Sequence, residues 1–308
     1  MCIDLFGGFG FDCGLSAAIN KYIYIVANST PLSKDISVRY SAMENVSKVD
    51  ELKNERARLS LIETQVDSGI EIGSFATFPL VMGFNSHQSY TSALLRALYK
   101  HLNKSMSPKD LINKVFDIER KVDSNKSISS IYTTCMGGFN IFSTDDSKNF
   151  LIQPQFISFH DMLKFEDSLC VFNIQTKKTK SKNGFVSVEN SNDMNGHLKD
   201  LISEFVGHLN RGDIAGCGYS LHKGWLQEQG VGQNKSNEII EDIYRYAISS
   251  GCLGGKYIGD QYGGNLLLVG SDDVFQKVNK KLQKNKNLSV SDFKISFIQS
   301  GTEILYNL

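Results

Sequence analysis

The sequence predicts an α+β protein of two lobes, and three observations carry that expectation. At 308 residues the chain lies near the length at which one hydrophobic core divides. Residues 20–28 alternate aromatic and β-branched side chains, which predicts sheet near the N-terminus. Toward the end, a strand (265–269), a helix (272 to about 283) and a strand (293–298) follow one another, the order of a helical layer on a sheet. The division is expected near residue 155, giving lobes over 1–155 and 156–308.

Taken in order, residues 20–28 and 35–40 read as strands, and the polar stretch 51–68 places Leu52, Leu59 and Ile62 at the spacing of a surface helix. An apolar run at 78–82 predicts a strand, then Gly83 and the turn Asn85-Ser86-His87-Gln88-Ser89. The next helix is marked by Ala93, Leu94, Leu95, Ala97, Leu98 and Leu102, with Ser86, Ser89 or Thr91 able to cap it. Ser107-Pro108-Lys109-Asp110 opens another: a capping serine, a proline whose missing N–H is harmless in the first turn, and an acid at the positive helix end. Its inward face would be Leu111, Ile112, Val115, Ile118 and Val122. A loop at 123–127, a strand at 139–142, a turn at 145–149 and a strand at 168–174 follow. A lysine-rich loop (177–182) then precedes a helix with Leu198, Leu201, Ile202, Phe205 and Leu209 on one face, and a polar segment. From Asn237 a helix through Ile239, Ile240, Ile243 and Ala247 ends at Gly251, and the Gly-rich stretch 251–264 leads into the closing elements.

Composition narrows the partners. Lys plus Arg and Asp plus Glu are both 33, so the positive field of a nucleic-acid binder is lacking and small molecules or proteins are expected. Six cysteines without a CxxC pair predict reduced, buried thiols, a cytoplasmic setting and no zinc site. The apolar first segment lacks a basic start and carries Asp4, Asp12 and Lys21, which argues against a signal peptide. No apolar run reaches the roughly twenty residues that span a bilayer, so no membrane partner is expected.

Two features carry chemistry. A polar turn opening a helix aims backbone N–H groups and the positive end of the helix dipole at one place, which suits a phosphate; the same residues also make an ordinary capped helix. Cys2, with Met1 removed, would be a terminal nucleophile acting as its own base, as in N-terminal-nucleophile amidohydrolases, although nothing downstream supports that reading.

Several segments resemble, in order, the GHMP sugar and metabolite kinase superfamily, most closely its heptose-7-phosphate kinase branch. They are IDLFGG (3–8), AAINKYIYI (17–25), GFNSHQSYTSALLRALY (83–99), FDIERKV (116–122), IYTTCMGGFNIF (131–142), GWLQEQGVG (224–232) and ISSGCLGGKYIGDQYGGNLLLVG (248–270). The resemblance implies a two-lobed fold, with a mixed sheet and helices in the N-terminal lobe and a ferredoxin-like C-terminal lobe. It implies ATP-dependent phosphorylation of a hydroxyl on a sugar or sugar phosphate, and allows a homodimer. ATP phosphates would meet Gly83, Asn85, Ser86, His87, Gln88 and Ser89; Mg²⁺ would be held by Ser86 and Glu119. The sugar would lie against Gly8, Asp12, Thr176, Lys178, Gly259 and Asp260.

The departures bear on activity. The position of the branch's catalytic Asp is Ser130, and no carboxylate stands between Asp123 and Asp145, so Ser130 and His87 remain the catalytic candidates. Asn85, His87 and Gln88 replace small loop residues, and Asp260-Gln261-Tyr262 interrupts the closing glycines. Phosphoryl transfer passes through a loose transition state in which positioning and charge neutralisation carry most of the rate, so a missing base weakens the kinase reading without ending it. The rival is a relative that keeps the fold and acts as a binding or regulatory partner. Single residues stay open: Glu119, beside Asp117 and Arg120, is a metal ligand or solvated charge, and His87 is a phosphate partner or polar surface. The lysine loop gathers a sugar phosphate or is solvated, while Lys256, Trp225 and His222 read first as turn and packing residues.

Overall fold

The computed structural model describes residues 1–7, 11–77, 84–123, 128–145, 149–176, 192–230, 238–260 and 263–306. The strands are β1 (Cys2–Phe6), β2 (Cys13–Ala18), β3 (Ile23–Ser29), β4 (Ile36–Arg39), β5 (Met43–Val46), β6 (Ile70–Ala76), β7 (Phe139–Thr144), β8 (Phe150–Gln155), β9 (Leu169–Thr176), β10 (Gly254–Asp260), β11 (Gly263–Val269) and β12 (Leu288–Phe293). The helices are α1 (Glu55–Thr64), α2 (Ser86–His101), α3 (Pro108–Val122), α4 (Ile128–Met136), α5 (Phe159–Asp167), α6 (Asn192–Leu209), α7 (Ile214–Gly230), α8 (Glu238–Ser249) and α9 (Asp272–Gln283). None is long and apolar enough to cross a membrane. The strand expected at 78–82 lies outside the described residues.

The strands form three sheets. The N-terminal half holds two where one was expected: antiparallel β1-β2-β7-β8, and β3-β6-β4-β5, mixed because β4 and β6 run parallel. The third sheet, β10-β11-β9-β12, is antiparallel throughout. Reading α6 to α8 as the first crossover and α9 as the second gives β-α-β-β-α-β, the expected ferredoxin-like lobe.

One apolar core runs through residue 155. It joins Ile3, Leu5 and Phe6 of β1 to Leu198, Ile202 and Phe205 of α6 and to Leu267 of β11. The end of the chain returns to it: Phe297 bridges Ile19 and packs against Phe139 with its ring tilted by 58°, ring centroids 4.7 Å apart. The strand expected at 293–298 is therefore β12, ending at Phe293, plus that single bridge. Alternating Ile295 and Phe297 read as a strand because both are buried, but against the other lobe.

Local chemistry explains most helices. Ser107 caps α3, accepting from the Asp110 N–H at 3.1 Å, and Leu111, Val115 and Ile118 face inward while Ile112 and Val122 are half-buried. Ser107→Ala is expected to lower stability by about 1 kcal/mol, read as a lower urea midpoint with unchanged m. In α1 the buried face is Ala57, Ser60, Leu61 and Thr64, whereas Ile62 is 51% exposed and Leu52 is buried just ahead of the helix. The polar segment after α6 is helix α7, and its glycines explain the misreading. A Cβ at Gly216 would lie 2.1 Å from the His208 ring, at Gly218 2.7 Å from Leu253, and at Gly224 2.7 Å from Phe6. These glycines let α7 pack closely on α6, β10 and β1. The Gly-rich stretch likewise contains β10, where a Cβ at Gly255 would meet the Leu267 carbonyl at 2.2 Å.

Candidate active site

Strand β1 buries Cys2, Ile3, Leu5 and Phe6 and leaves only Asp4 partly exposed. Asp4 pairs with Ser16 in the β1–β2 register, and the Ser16 hydroxyl donates to Asp4 Oδ1 at 2.9 Å. Asn85 Nδ2 donates to Asp4 Oδ2 at 3.2 Å. Burial pushes the Asp4 carboxyl above its ordinary range, opposed by the bonds from Asn85 and Ser16 and by the charge of Lys256.

Asn85, not Ser86, Ser89 or Thr91, is the N-cap of α2, in the left-handed region at φ 49°. Its side chain makes no capping bond, because its amide donates to Asp4 and its oxygen accepts from Gln88 at 3.4 Å. The first-turn amides of α2 are thus left uncovered by the side chain that would ordinarily cap them. Of the expected phosphate-loop residues, His87 is exposed and Asn85 and Ser86 are half-buried, while Gln88 and Ser89 are buried, the Ser89 hydroxyl on the Asn85 carbonyl at 3.1 Å. Gly83 lies outside the described residues.

Ser130 is buried on α4, and its carbonyl accepts from the Cys2 thiol at 3.4 Å; Cys2 Sγ also lies 3.3 Å from Thr134 Oγ1. Burial, then Asp4, pushes the Cys2 thiol up to about 12. Such a thiol is protonated and shielded, and the Met1 amine is held on the Lys21 carbonyl, so the N-terminal-nucleophile reading is set aside. All six cysteines are buried and none forms a disulfide.

Glu119 is not a solvated charge. It is fully buried, with Oε1 accepting from Arg56 Nε at 2.8 Å and Thr91 Oγ1 at 2.5 Å, and Oε2 from Arg56 Nη2 at 2.9 Å. The cluster ties α1, α2 and α3 together. Both carboxylate oxygens have donors and a guanidinium fills the place of a cation, so this arrangement does not fit a resident Mg²⁺. Among the described residues no group of three His, Cys, Asp or Glu side chains could hold a metal ion.

Lys256, expected in a turn, lies within β10, and sequence reasoning missed its partner Glu228 on α7. Lys256 Nζ stands 2.8 Å from Glu228 Oε1, the two residues 1% and 0% exposed. The same oxygen accepts the Gly7 N–H at 2.9 Å, and Lys256 Nζ donates to the Gly7 carbonyl at 3.4 Å. Gly7 has φ +66° and a Cβ there would lie 2.3 Å from the Cys13 carbonyl, so the buried pair grips both sides of a backbone unit that only glycine suits.

Of the expected sugar-site residues, Asp12 is half-buried before β2, its carbonyl taking the Thr144 N–H at 2.7 Å. Gly259, Asp260 and Thr176 fall at one end of the β10-β11-β9-β12 sheet, where Asp260 pairs with Gly263, Gly263 with Gln175, and Thr176 with Leu288. Gly8 and Lys178 lie outside the described residues. Trp225 and His222 pack as expected: Trp225 meets Tyr244 edge-on at 4.1 Å, and His222 Nδ1 lies 2.7 Å from Tyr244 Oη, beside a cavity of about 370 Å³ between α7 and α8.

No protein-family model matches the chain. Over 265 residues it is 22% identical to D-glycero-alpha-D-manno-heptose 7-phosphate kinase from Campylobacter jejuni, covering 84% of this chain and 77% of that protein. Among solved structures, a D-glycero-D-manno-heptose 1-phosphate kinase from Bacteroides thetaiotaomicron superposes with TM-score 0.74 at 17% identity, covering 98% of this chain and 95% of the other. Mevalonate kinase from Methanococcus jannaschii gives TM-score 0.72 at 17% identity, covering 96% of each. The two-lobed arrangement of these sheets and helices is shared over nearly the whole chain with solved heptose phosphate, mevalonate and galactose kinases, so the chain has the fold of those kinases.

Proposed function

We propose that the protein transfers the γ-phosphoryl group of MgATP to a hydroxyl of a sugar or sugar phosphate, of the heptose-phosphate class its relatives act on. The observation that carries this reading is the start of α2. Its cap side chain is drawn to Asp4 and Gln88 rather than to the first-turn amides, and those amides with the helix dipole favour an anion at this end of the helix. Oriented amides supply the charge neutralisation that a loose phosphoryl-transfer transition state needs. The Ser86 and His87 side chains flank the same turn. Magnesium enters as part of the nucleotide substrate, and no step is routed through Glu119.

The test is nucleotide-dependent thermal stabilisation followed by ADP release with a panel of heptose and hexose phosphates. Saturation at about 100 times Kd should add about 2.7 kcal/mol of stability. Binding and turnover support the kinase. Binding without turnover identifies a nucleotide-binding relative that has lost catalysis, and neither removes the reading.

A further inference from the structure

A group that takes the proton of the attacking hydroxyl would speed the transfer, and a serine hydroxyl at position 130 is not a base at neutral pH. A carboxylate nevertheless stands in the same corner of the fold. Side chains two residues apart on a strand share a face, so Asp4 and Cys2 project to the same side of β1. On that side the Cys2 thiol touches the Ser130 carbonyl and Thr134 of α4, and Asp4 touches Asn85 at the start of α2. Asp4 therefore lies where the helix carrying Ser130 meets the helix start proposed to hold phosphate, and it is the one residue of its strand not in the buried class. We propose that Asp4 is the general base of the transfer, standing in for the carboxylate missing at position 130.

This rests on the kinase reading. In the step, the acceptor hydroxyl oxygen forms a bond to the γ-phosphorus and gives its proton to Asp4. The bond from the γ-phosphorus to the bridging oxygen breaks, and ADP leaves with the electron pair. The products are a phosphate monoester and ADP, and Asp4 returns its proton to solvent. Ser16 and Asn85 fix one carboxylate oxygen each, which leaves acceptor capacity on both for a substrate hydroxyl. Among the described residues the charged or titratable groups acting on Asp4 are Cys2 on its own strand and Lys256 from β10; Ser16 of β2 and Asn85 of α2 are neutral.

Stability and catalysis pull Asp4 in opposite directions. Its carboxyl is raised by burial, so the stability linked to its protonated form is fully present below the unfolded carboxylate range and lost as pH rises through the folded value. Wherever Asp4 is ionised the charge is a burden on the fold, so Asp4→Asn should melt no lower than wild type at the pH at which the enzyme turns over. In the same variant, kcat with MgATP and the sugar phosphate that wild type accepts should fall about 10²- to 10⁴-fold while KM for MgATP stays within about three-fold. The acid limb of the pH–rate profile should disappear, and Asp4→Glu should recover part of kcat. Wild-type turnover with an equally active Asp4→Asn removes Asp4 alone. A rate loss accompanied by a lower melting temperature and no recovery in Asp4→Glu makes Asp4 structural and overturns the proposal. Absence of wild-type turnover removes the kinase reading and the base together.

Discussion

Lys256→Met is expected to destabilise the protein by about 3–5 kcal/mol, because it leaves the Glu228 carboxylate buried without its cation. Glu228 would retain the Gly7 N–H, but one neutral donor does not offset the desolvation of a full charge. Glu228→Gln should fall short of this loss, since the amide can still accept from Lys256 and Gly7. The double variant Glu228→Leu/Lys256→Met removes both charges and should regain much of the stability. It would not restore the grip on Gly7, which depends on the carboxylate and the ammonium acting on opposite sides of one residue. Chemical denaturation of Lys256→Met, Glu228→Leu and the double variant gives the coupling energy. A coupling near zero would mean that the pair contributes little to stability beyond its separate side chains.

This pair also marks how far the sequence could be read. Elements with local signatures were legible: α9 spans the expected 272–283, Ser107 caps α3, and the spacing of Leu94, Leu95 and Leu98 gave α2 its buried face. Helix α7 and strand β10 were not, because their glycines answer to neighbours distant in sequence rather than to local propensity. The candidate site divides the same way. A polar turn opening a helix is a local pattern and pointed to the start of α2. Gly7 and Glu228 lie 221 residues apart, Asp4 and Asn85 81, and Arg56 and Glu119 63, so no spacing rule connects them. Asp4 was read only as a charge unfavourable to a signal peptide. What singles it out is the exception it makes on an otherwise buried strand, and that is visible only once the strand is folded.

Glu119 offers the sharpest contrast between the expectation from resemblance and the geometry. As a magnesium ligand, Glu119→Ala would weaken MgATP binding and leave the apo protein's stability nearly unchanged. In the structure the carboxylate is instead the centre of a three-helix junction, held by both arms of the Arg56 guanidinium and by the Thr91 hydroxyl. Removing it leaves a largely buried guanidinium without its acceptor and a void among α1, α2 and α3, while the Thr91 hydroxyl keeps the His87 carbonyl at 3.2 Å. The expected result is a loss of about 3 kcal/mol of stability in the absence of any nucleotide or metal. Arg56→Met should produce a similar loss by stranding Glu119, and adding Mg²⁺ alone should rescue neither variant. A Glu119→Ala protein that melts like wild type but has lost MgATP affinity would return the residue to metal binding, and would require Arg56 to swing away when nucleotide arrives.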